Sequence, residues 1–238
     1  MQRNDEHRPA RIKGRGAASN HEGRFESATA EAVDDGWATE DQSALRPATS
    51  VTEERARSII SRNDSPDIAF EQSINPYRGC EHGCIYCYAR PSHSYLNLSP
   101  GLDFETKLFA KTNAAELLRA ELAKASYRVS PINLGANTDP YQPIERRYRL
   151  TRQIIELLAE HRHPLTIVTK NAMVERDLDL LVPLARQNLV HVFLSDTSLD
   201  LDRRSINAAV PALHLTGLLR DGAPLDVQAS AAGPLDRI

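Results

Sequence analysis

The chain has 238 residues, a formal net charge of -3 and a hydrophobic fraction of 41%. That allows one core beside a polar segment, and it excludes a strongly basic or acidic whole-chain field as the basis of partner choice. All three cysteines, Cys80, Cys84 and Cys87, lie within eight positions, an odd count in one loop that fits a reducing compartment better than a disulfide framework. No apolar run of about 18 residues occurs and the N-terminus lacks an apolar signal core, so the expectation is a cytoplasmic protein with no membrane partner.

Up to Phe70 the aromatics are Phe25, Trp37 and Phe70 only. This is too little apolar surface to offset the entropy of ordering, and residues 1–56 are expected to form a polar, largely disordered N-terminal arm. Its Arg8, Arg11, Lys13 and Arg15 suit phosphates or plain solvation. The stretch Val51 to Ile60 predicts a short helix with Thr52 as N-cap and Glu53 and Glu54 in the first turn. Asn63-Asp64-Ser65-Pro66 then breaks it.

Beyond the cysteines, strand-like and helix-like pieces alternate, the pattern of a parallel sheet with helical crossovers. A strand near Asn75 precedes the cysteine loop, and Lys107 to Ala110 is the next apolar run. Asn113-Ala-Ala-Glu116 has the form of a capping box opening a helix with Leu117, Leu118 and Leu122. Pro131 to Leu134 predicts a strand, followed by the loop Gly135 to Tyr141, and Thr151 is the expected cap of a helix bearing Ile154, Ile155, Leu157 and Leu158. Leu165 to Thr169 is the clearest buried strand, with Lys170 at its end. Asp177 to Arg186 predicts a helix, and Val190 to Leu194 a last strand ending at Ser195. The domain reading is a core over 57–200 and an atypical tail over 201–238, where the pattern fades; no fixed-period repeat occurs.

The cysteine loop, Gly79-Cys-Glu-His-Gly-Cys-Ile-Tyr-Cys-Tyr88, carries the chemistry. Its thiols sit at i, i+4 and i+7, one face of a helix on paper, but Gly79 and Gly83 argue against a regular helix. A zinc site completed by His82 or His93 is the structural rival, although the usual paired spacing on two separate turns is missing. Three thiolates wrapped round an iron-sulfur cluster suit the loop better and leave one iron of a cubane open.

Cys80, Cys84, Tyr86 and Cys87 match Cys-x3-Cys-x-aromatic-Cys, and here the chain resembles the radical S-adenosylmethionine (radical SAM) superfamily. The runs Asn75 to Cys80, Cys84 to Pro91, Gly101 to Lys107, Thr138 to Pro143 and Val168 to Asn171 are similar to its spore photoproduct lyase-like, or DNA repair photolyase-like, bacterial branch, over roughly Arg57 to Asp200. The resemblance implies a 4Fe-4S cluster on Cys80, Cys84 and Cys87. It also implies S-adenosylmethionine bound through the open iron and cleaved by one electron to a 5′-deoxyadenosyl radical, with a flavodoxin or ferredoxin as reductant. Carried over by position, Thr138 and Asp139 would face the cofactor's amino group, Lys170 its carboxylate, Ser195 its carboxylate or ribose, and Tyr86 its adenine. Tyr86 and Tyr88 match tyrosines of the lyase, which makes Tyr88 the candidate catalytic residue. The implied fold is α/β, a partial (β/α) barrel.

Two departures qualify that resemblance. The lyase of the branch returns a hydrogen atom from a further cysteine just before the cofactor-binding loop residue, where this chain has Gly135-Ala136-Asn137 and no cysteine remains. The expectation is therefore radical chemistry on an unknown substrate, nucleic acid (DNA or RNA) or a protein being the candidates, rather than thymine-dimer repair. Roughly four strand-helix steps can be placed, fewer than a full core of this type carries, so the barrel is expected to be truncated at its C-terminus with an exposed edge.

Overall fold

The computed structural model describes residues 15–20, 47–68 and 70–195. The expectations for Arg8, Arg11, Lys13 and the tail 201–238 lie outside the described residues. In chain order the elements are β1 (Ser50–Glu54), β2 (Ile60–Arg62), β3 (Gln72–Ile74), β4 (Tyr77–Arg78), α1 (Asp103–Thr106), β5 (Lys107–Lys111), α2 (Ala114–Leu122), β6 (Ile132–Leu134), α3 (Glu145–Tyr148), α4 (Leu150–Glu160), β7 (Leu165–Thr169), α5 (Leu178–Ala185) and β8 (Val190–Leu194). Tight 3₁₀ segments occupy Arg90–Leu96 and Ala172–Asp177. The chain divides into two units interleaved in sequence, Met1–Glu53 with Tyr77–Ala110, and Glu54–Pro76 with Lys111–Ile238.

The first unit carries a three-stranded sheet in the order β1-β5-β4. β4 and β5 run antiparallel, with Tyr77 opposite Ala110 and Arg78 opposite Phe109. Lys107 to Ala110 is thus a strand, but not a member of the parallel sheet. Between β4 and β5 the chain makes a return rather than a helical crossover, and a strand that comes back beside its predecessor runs antiparallel. The helix expected over Val51 to Ile60 is replaced by β1 and the start of β2. β-Branched Val51 and Thr52 fit a pleated strand beside β5, and that pairing outweighs the capping signal of Thr52.

The second unit carries a sheet in the order β2-β3-β6-β7-β8. β3, β6, β7 and β8 are parallel, aligning Ile74 with Leu134, Leu134 with Ile167 and Ile167 with Val192. β2 adds an antiparallel edge. The architecture is mixed α/β, with β2 and β8 as the outer strands among the described residues. Ile74, Leu134, Ile154, Ile155, Leu158 and Ile167 are fully buried in one cluster with Leu118 of α2, and each such side chain contributes about 1.5–3 kcal/mol over its exposed state. The apolar residues of α4 fall at helical spacing on one face, as expected.

α2 starts directly after Asn113 as expected and α4 one residue before Thr151, but the capping contacts depart from the sequence signals. Asn113 precedes α2, but its side chain accepts from Ala56 N (2.9 Å) and donates to Ala56 O (2.9 Å) instead of closing a capping box, while Glu116 pairs with Arg55. Thr151 lies inside α4 and donates its hydroxyl to Pro140 O. Glu145 of α3 caps α4 in its place, its carboxylate accepting from Thr151 N (3.0 Å) and Arg152 N (3.3 Å). α5 begins one residue later than expected, after a 3₁₀ turn that Asn171 caps by accepting from Met173 N at 3.0 Å.

Two buried carboxylates tie these helices together. Asp177 accepts from Arg176 (2.9 and 2.8 Å), Arg152 (2.9 Å) and the Tyr141 hydroxyl (3.0 Å). Arg176 also donates to Glu145 at 2.7 Å. Burial first, then the charge of Asp177, hold the Tyr141 hydroxyl well above its ordinary pKa. Removing one partner of a buried pair leaves the others uncompensated. Asp177→Ala is expected to cost about 3 kcal/mol in urea unfolding, while Asp179→Ala, at an exposed partner of Arg152, has a much smaller effect.

At the other end of the parallel strands His163 is buried and donates from Nδ1 to Pro164 O (2.9 Å), while Nε2 meets the Tyr127 hydroxyl at 2.7 Å. Burial lowers the pKa of His163, as it does that of His93 in the first unit. Just below the ordinary histidine pKa the unfolded chain therefore binds more protons than the folded one, and stability is lost as pH falls through that window. The urea midpoint should be lower at about pH 5 than at about pH 7, and His163→Gln should reduce that difference; an equal midpoint at both pH values would contradict the assignment.

Candidate functional site

The cysteine loop belongs to the first unit. Cys80, Cys84 and Cys87 are all reduced, Cys80 buried and the other two half-buried. Gly79 and Gly83 take φ values of +73° and +61°, the left-handed region that a side chain strains against. At Gly79 an added Cβ would lie 2.8 Å from Phe104 O and 2.7 Å from a Leu108 methyl. These glycines are therefore required by the turn and not merely permitted by it. Cys80 N donates to Phe104 O at 2.9 Å and Cys87 N to Cys84 O at 3.3 Å. Cys80 packs with Ala89 and Phe104, and Cys87 lies against that group.

Among the described residues no three His, Cys, Asp or Glu side chains converge closely enough to hold one metal ion. In a cubane cluster each thiolate binds a different iron, so the sulfurs need not meet at one point. Three reduced thiols on a glycine-shaped turn fit such a group by the chemistry of the donor set. His93, named for the zinc alternative, is a core residue: Nε2 donates to Lys107 O at 2.9 Å, and its ring meets Phe104 edge-on at 5.3 Å. His82 is half-buried within the loop. Tyr86 and Tyr88 present themselves at the surface, 58% and 77% exposed, open to a ligand.

Arg90 and Glu105 support the loop, and sequence reasoning missed both as site residues. Arg90 donates from Nε (3.2 Å) and Nη2 (3.0 Å) to Cys84 O, and from Nη1 to Pro100 O (3.3 Å) and Gly101 O (3.1 Å). It also pairs with Glu105, whose side chain has no exposure. Both lie in runs noted for their likeness to the family, Cys84 to Pro91 and Gly101 to Lys107. For Arg90 the available signal was a lone charge inside Cys84 to Pro91; Glu105, flanked by Asp103 and Lys107, carried no such signal.

Thr138, Asp139, Lys170 and Ser195 belong to the second unit, and they gather at the C-terminal ends of β6, β7 and β8. Asp139 accepts from Tyr141 N (2.8 Å), the Thr169 hydroxyl (2.7 Å) and Lys170 N (2.7 Å). Its carboxylate thereby joins the loop after β6 to the end of β7. Lys170 Nζ donates to Ser195 Oγ at 2.7 Å, so these two side chains meet across neighbouring strand ends. Thr138 is buried, and its N–H donates to Asn75 Oδ1 (3.3 Å), which also accepts from Asn137 N (2.8 Å). Asn75, directly after β3, thus links a third strand end to the same loop, a role that its place at the start of the Asn75 to Cys80 run did not disclose. Strand ends of a parallel sheet are where ligands of such folds bind. This set offers a lysine, a hydroxyl and a carboxylate within one hydrogen-bonded group.

Taken together, the chain is a mixed α/β protein with a three-thiol turn in one unit and a polar strand-end group in the other. No family model matches the chain. It is 48% identical over 128 residues to uncharacterized proteins of Mycobacterium bovis and Mycobacterium tuberculosis, an alignment that covers 54% of this chain and 38% of each relative. An uncharacterized protein of Methanocaldococcus jannaschii is 34% identical over 107 residues, covering 45% of this chain and 38% of the relative. The chain thus spans well under half the length of the curated relatives it matches. Among solved structures it is similar to a tyrosine-to-phenylalanine mutant of spore photoproduct lyase, with a TM-score of 0.46 and 18% identity, covering 71% of this chain and 48% of that one. The lyase complexed with dinucleoside spore photoproduct gives 0.44 and 17%, with the same coverage. A TM-score below 0.5 is a loose backbone likeness that by itself assigns neither site nor chemistry. Among the described residues no helix is long and apolar enough to cross a membrane.

Asp139→Ala should free the Lys170 amide to exchange faster with solvent deuterium and lower stability by about 2 kcal/mol, the scale of lost hydrogen bonds to a charged group. Unchanged exchange at Lys170 would show that the carboxylate does not hold this junction.

Proposed function

We propose that this chain carries the cluster-binding and cofactor-binding parts of a radical SAM protein. The observation that carries the reading is the turn itself: Cys80, Cys84 and Cys87 in the Cys-x3-Cys-x-Tyr-Cys pattern, reduced, on a backbone that Gly79 and Gly83 hold in the left-handed region. Cys80, Cys84 and Cys87 would hold a 4Fe-4S cluster. When bound together, cluster and S-adenosylmethionine supply one-electron cleavage of the sulfonium bond and hydrogen abstraction from substrate, the electron coming from a flavodoxin or ferredoxin.

The chain's own residues bind and orient. Lys170 provides a cation for the cofactor's carboxylate, and Ser195 Oγ, which accepts from it at 2.7 Å, adds a hydroxyl for the same carboxylate or the ribose. Asp139 holds the loop at the strand ends and offers negative charge to the amino group beside Thr138. Tyr86 supplies a ring face for adenine stacking, and Tyr88, the proposed catalytic residue, an accessible phenol. Arg146, Arg147 and Arg149 are exposed on and after α3 and favour a polyanionic substrate such as DNA or RNA. At the position that the resemblance gives to the hydrogen-returning cysteine this chain has Gly135-Ala136-Asn137, and repair of a thymine lesion is not part of this reading.

Anaerobic reconstitution with iron and sulfide tests it. A brown protein that bleaches with dithionite and releases 5′-deoxyadenosine from S-adenosylmethionine is expected, with Cys84→Ala lowering release at least about a hundredfold. A colourless protein that holds one zinc ion would overturn the reading.

A further inference from the structure

We propose that residues 15–20 form a strap that positions the cysteine loop, fixing the backbone at Gly83 and Cys84 and thereby the readiness of its thiols to take up iron and sulfide. The cluster half of this inference rests on the function proposed above. The first contact is steric. Gly16 passes so close to the loop that an added Cβ would lie 1.9 Å from Gly83 O and 2.7 Å from Gly83 C. The converse holds as well, because a Cβ on Gly83 would lie 3.0 Å from Gly16 N and 2.9 Å from Glu105 Oε2. Two backbones approach this closely only where both residues lack a side chain.

The second contact is polar and passes through the sealed carboxylate of Glu105. Gly16 N and Ala17 N donate to its two oxygens at 3.1 and 3.0 Å. Arg90 donates to the same carboxylate and, through Nε and Nη2, to Cys84 O. A continuous row of donors and acceptors therefore runs from the strap backbone to the carbonyl of a candidate ligand. Arg15, which in sequence suited a phosphate or plain solvation, donates to Glu105 O (2.8 Å), Thr49 Oγ1 (2.8 Å) and Pro47 O (3.3 Å). Thr49 in turn donates to Glu81, the neighbour of Cys80. Asn20 fastens the far end, donating to Asp103 Oδ1 (3.0 Å) and accepting from Asp103 N (2.9 Å). Arg15, Gly16 and Ala17 thus bear on the residues that hold the thiol turn, while Asn20 anchors the segment at Asp103.

The test uses the full chain in two forms. In the metal-free form the rates of Cys84 and Cys80 alkylation by iodoacetamide are read by peptide mass spectrometry; after reconstitution, bound iron and sulfide are counted. Gly16→Val and, as a variant that adds no bulk, Glu105→Gln are expected to raise the Cys84 to Cys80 rate ratio about tenfold, the effect of a local overpacking or lost contact, and to lower iron and sulfide retention. Ser19→Ala, on the same segment, keeps the backbone carbonyl that accepts from Leu102 N and should match the wild type. An unchanged ratio in both variants, an equal rise at both thiols, or a rise in Ser19→Ala as large as in Gly16→Val would overturn the strap. If the wild type itself binds no iron and sulfide, the cluster reading fails, and the alkylation ratio still decides for or against the strap.

Discussion

A carboxylate with no solvent exposure must be met by donors on every side, or its burial destabilises the fold by several kcal/mol. Glu105 meets that demand with two strap amides and the guanidinium of Arg90, and the rest of the first unit follows from it. Arg90, once drawn in, has donors to spare for Cys84 O, Pro100 O and Gly101 O. The turn is thereby held from inside by side chains and from outside by residues 15–20. These contacts fix the backbone that carries the three sulfurs.

Asp139 has the matching role in the second unit. A short loop at the end of β6 tends to be mobile, because its backbone groups lie beyond the sheet ladder. Here one carboxylate collects the Tyr141 and Lys170 amides and the Thr169 hydroxyl, and Asn75 collects two more loop amides. The strand ends are thus preorganised, so that binding a ligand there requires little further ordering. Lys170, whose place at a strand end is also compatible with plain snorkelling, is directed sideways to Ser195 instead.

Periodicity disclosed the parallel strands β6, β7 and β8 and the apolar face of α4, since burial on a sheet or helix face leaves a regular mark on the sequence. It did not disclose that β5 joins a separate antiparallel sheet, because a short apolar run such as Leu108 to Ala110 carries no sign of its partner's direction. The capping signal at Thr52 was misleading, while those at Asn113 and Thr151 placed their helices within one residue of the observed starts but not the caps themselves, and all three share one physical reason. Their side chains or backbones found tertiary partners, β5, Ala56 and Pro140, that local rules do not contain. The candidate site was legible where a pattern of residue types and spacings marks it, as with Cys80, Cys84 and Cys87. It was illegible where partners are distant in sequence, as with Gly16 and Gly83 or Arg15 and Glu105.

The central proposal is that the three thiols bind a cluster with one iron left open and that this iron takes S-adenosylmethionine. Electron paramagnetic resonance of the dithionite-reduced, reconstituted chain, recorded without and with S-adenosylmethionine, addresses this most directly. The expected result is a reduced-cluster signal whose shape changes when the cofactor is added, since binding alters the open iron. A signal that stays the same with and without the cofactor, or no cluster signal from fully reconstituted protein, would contradict it.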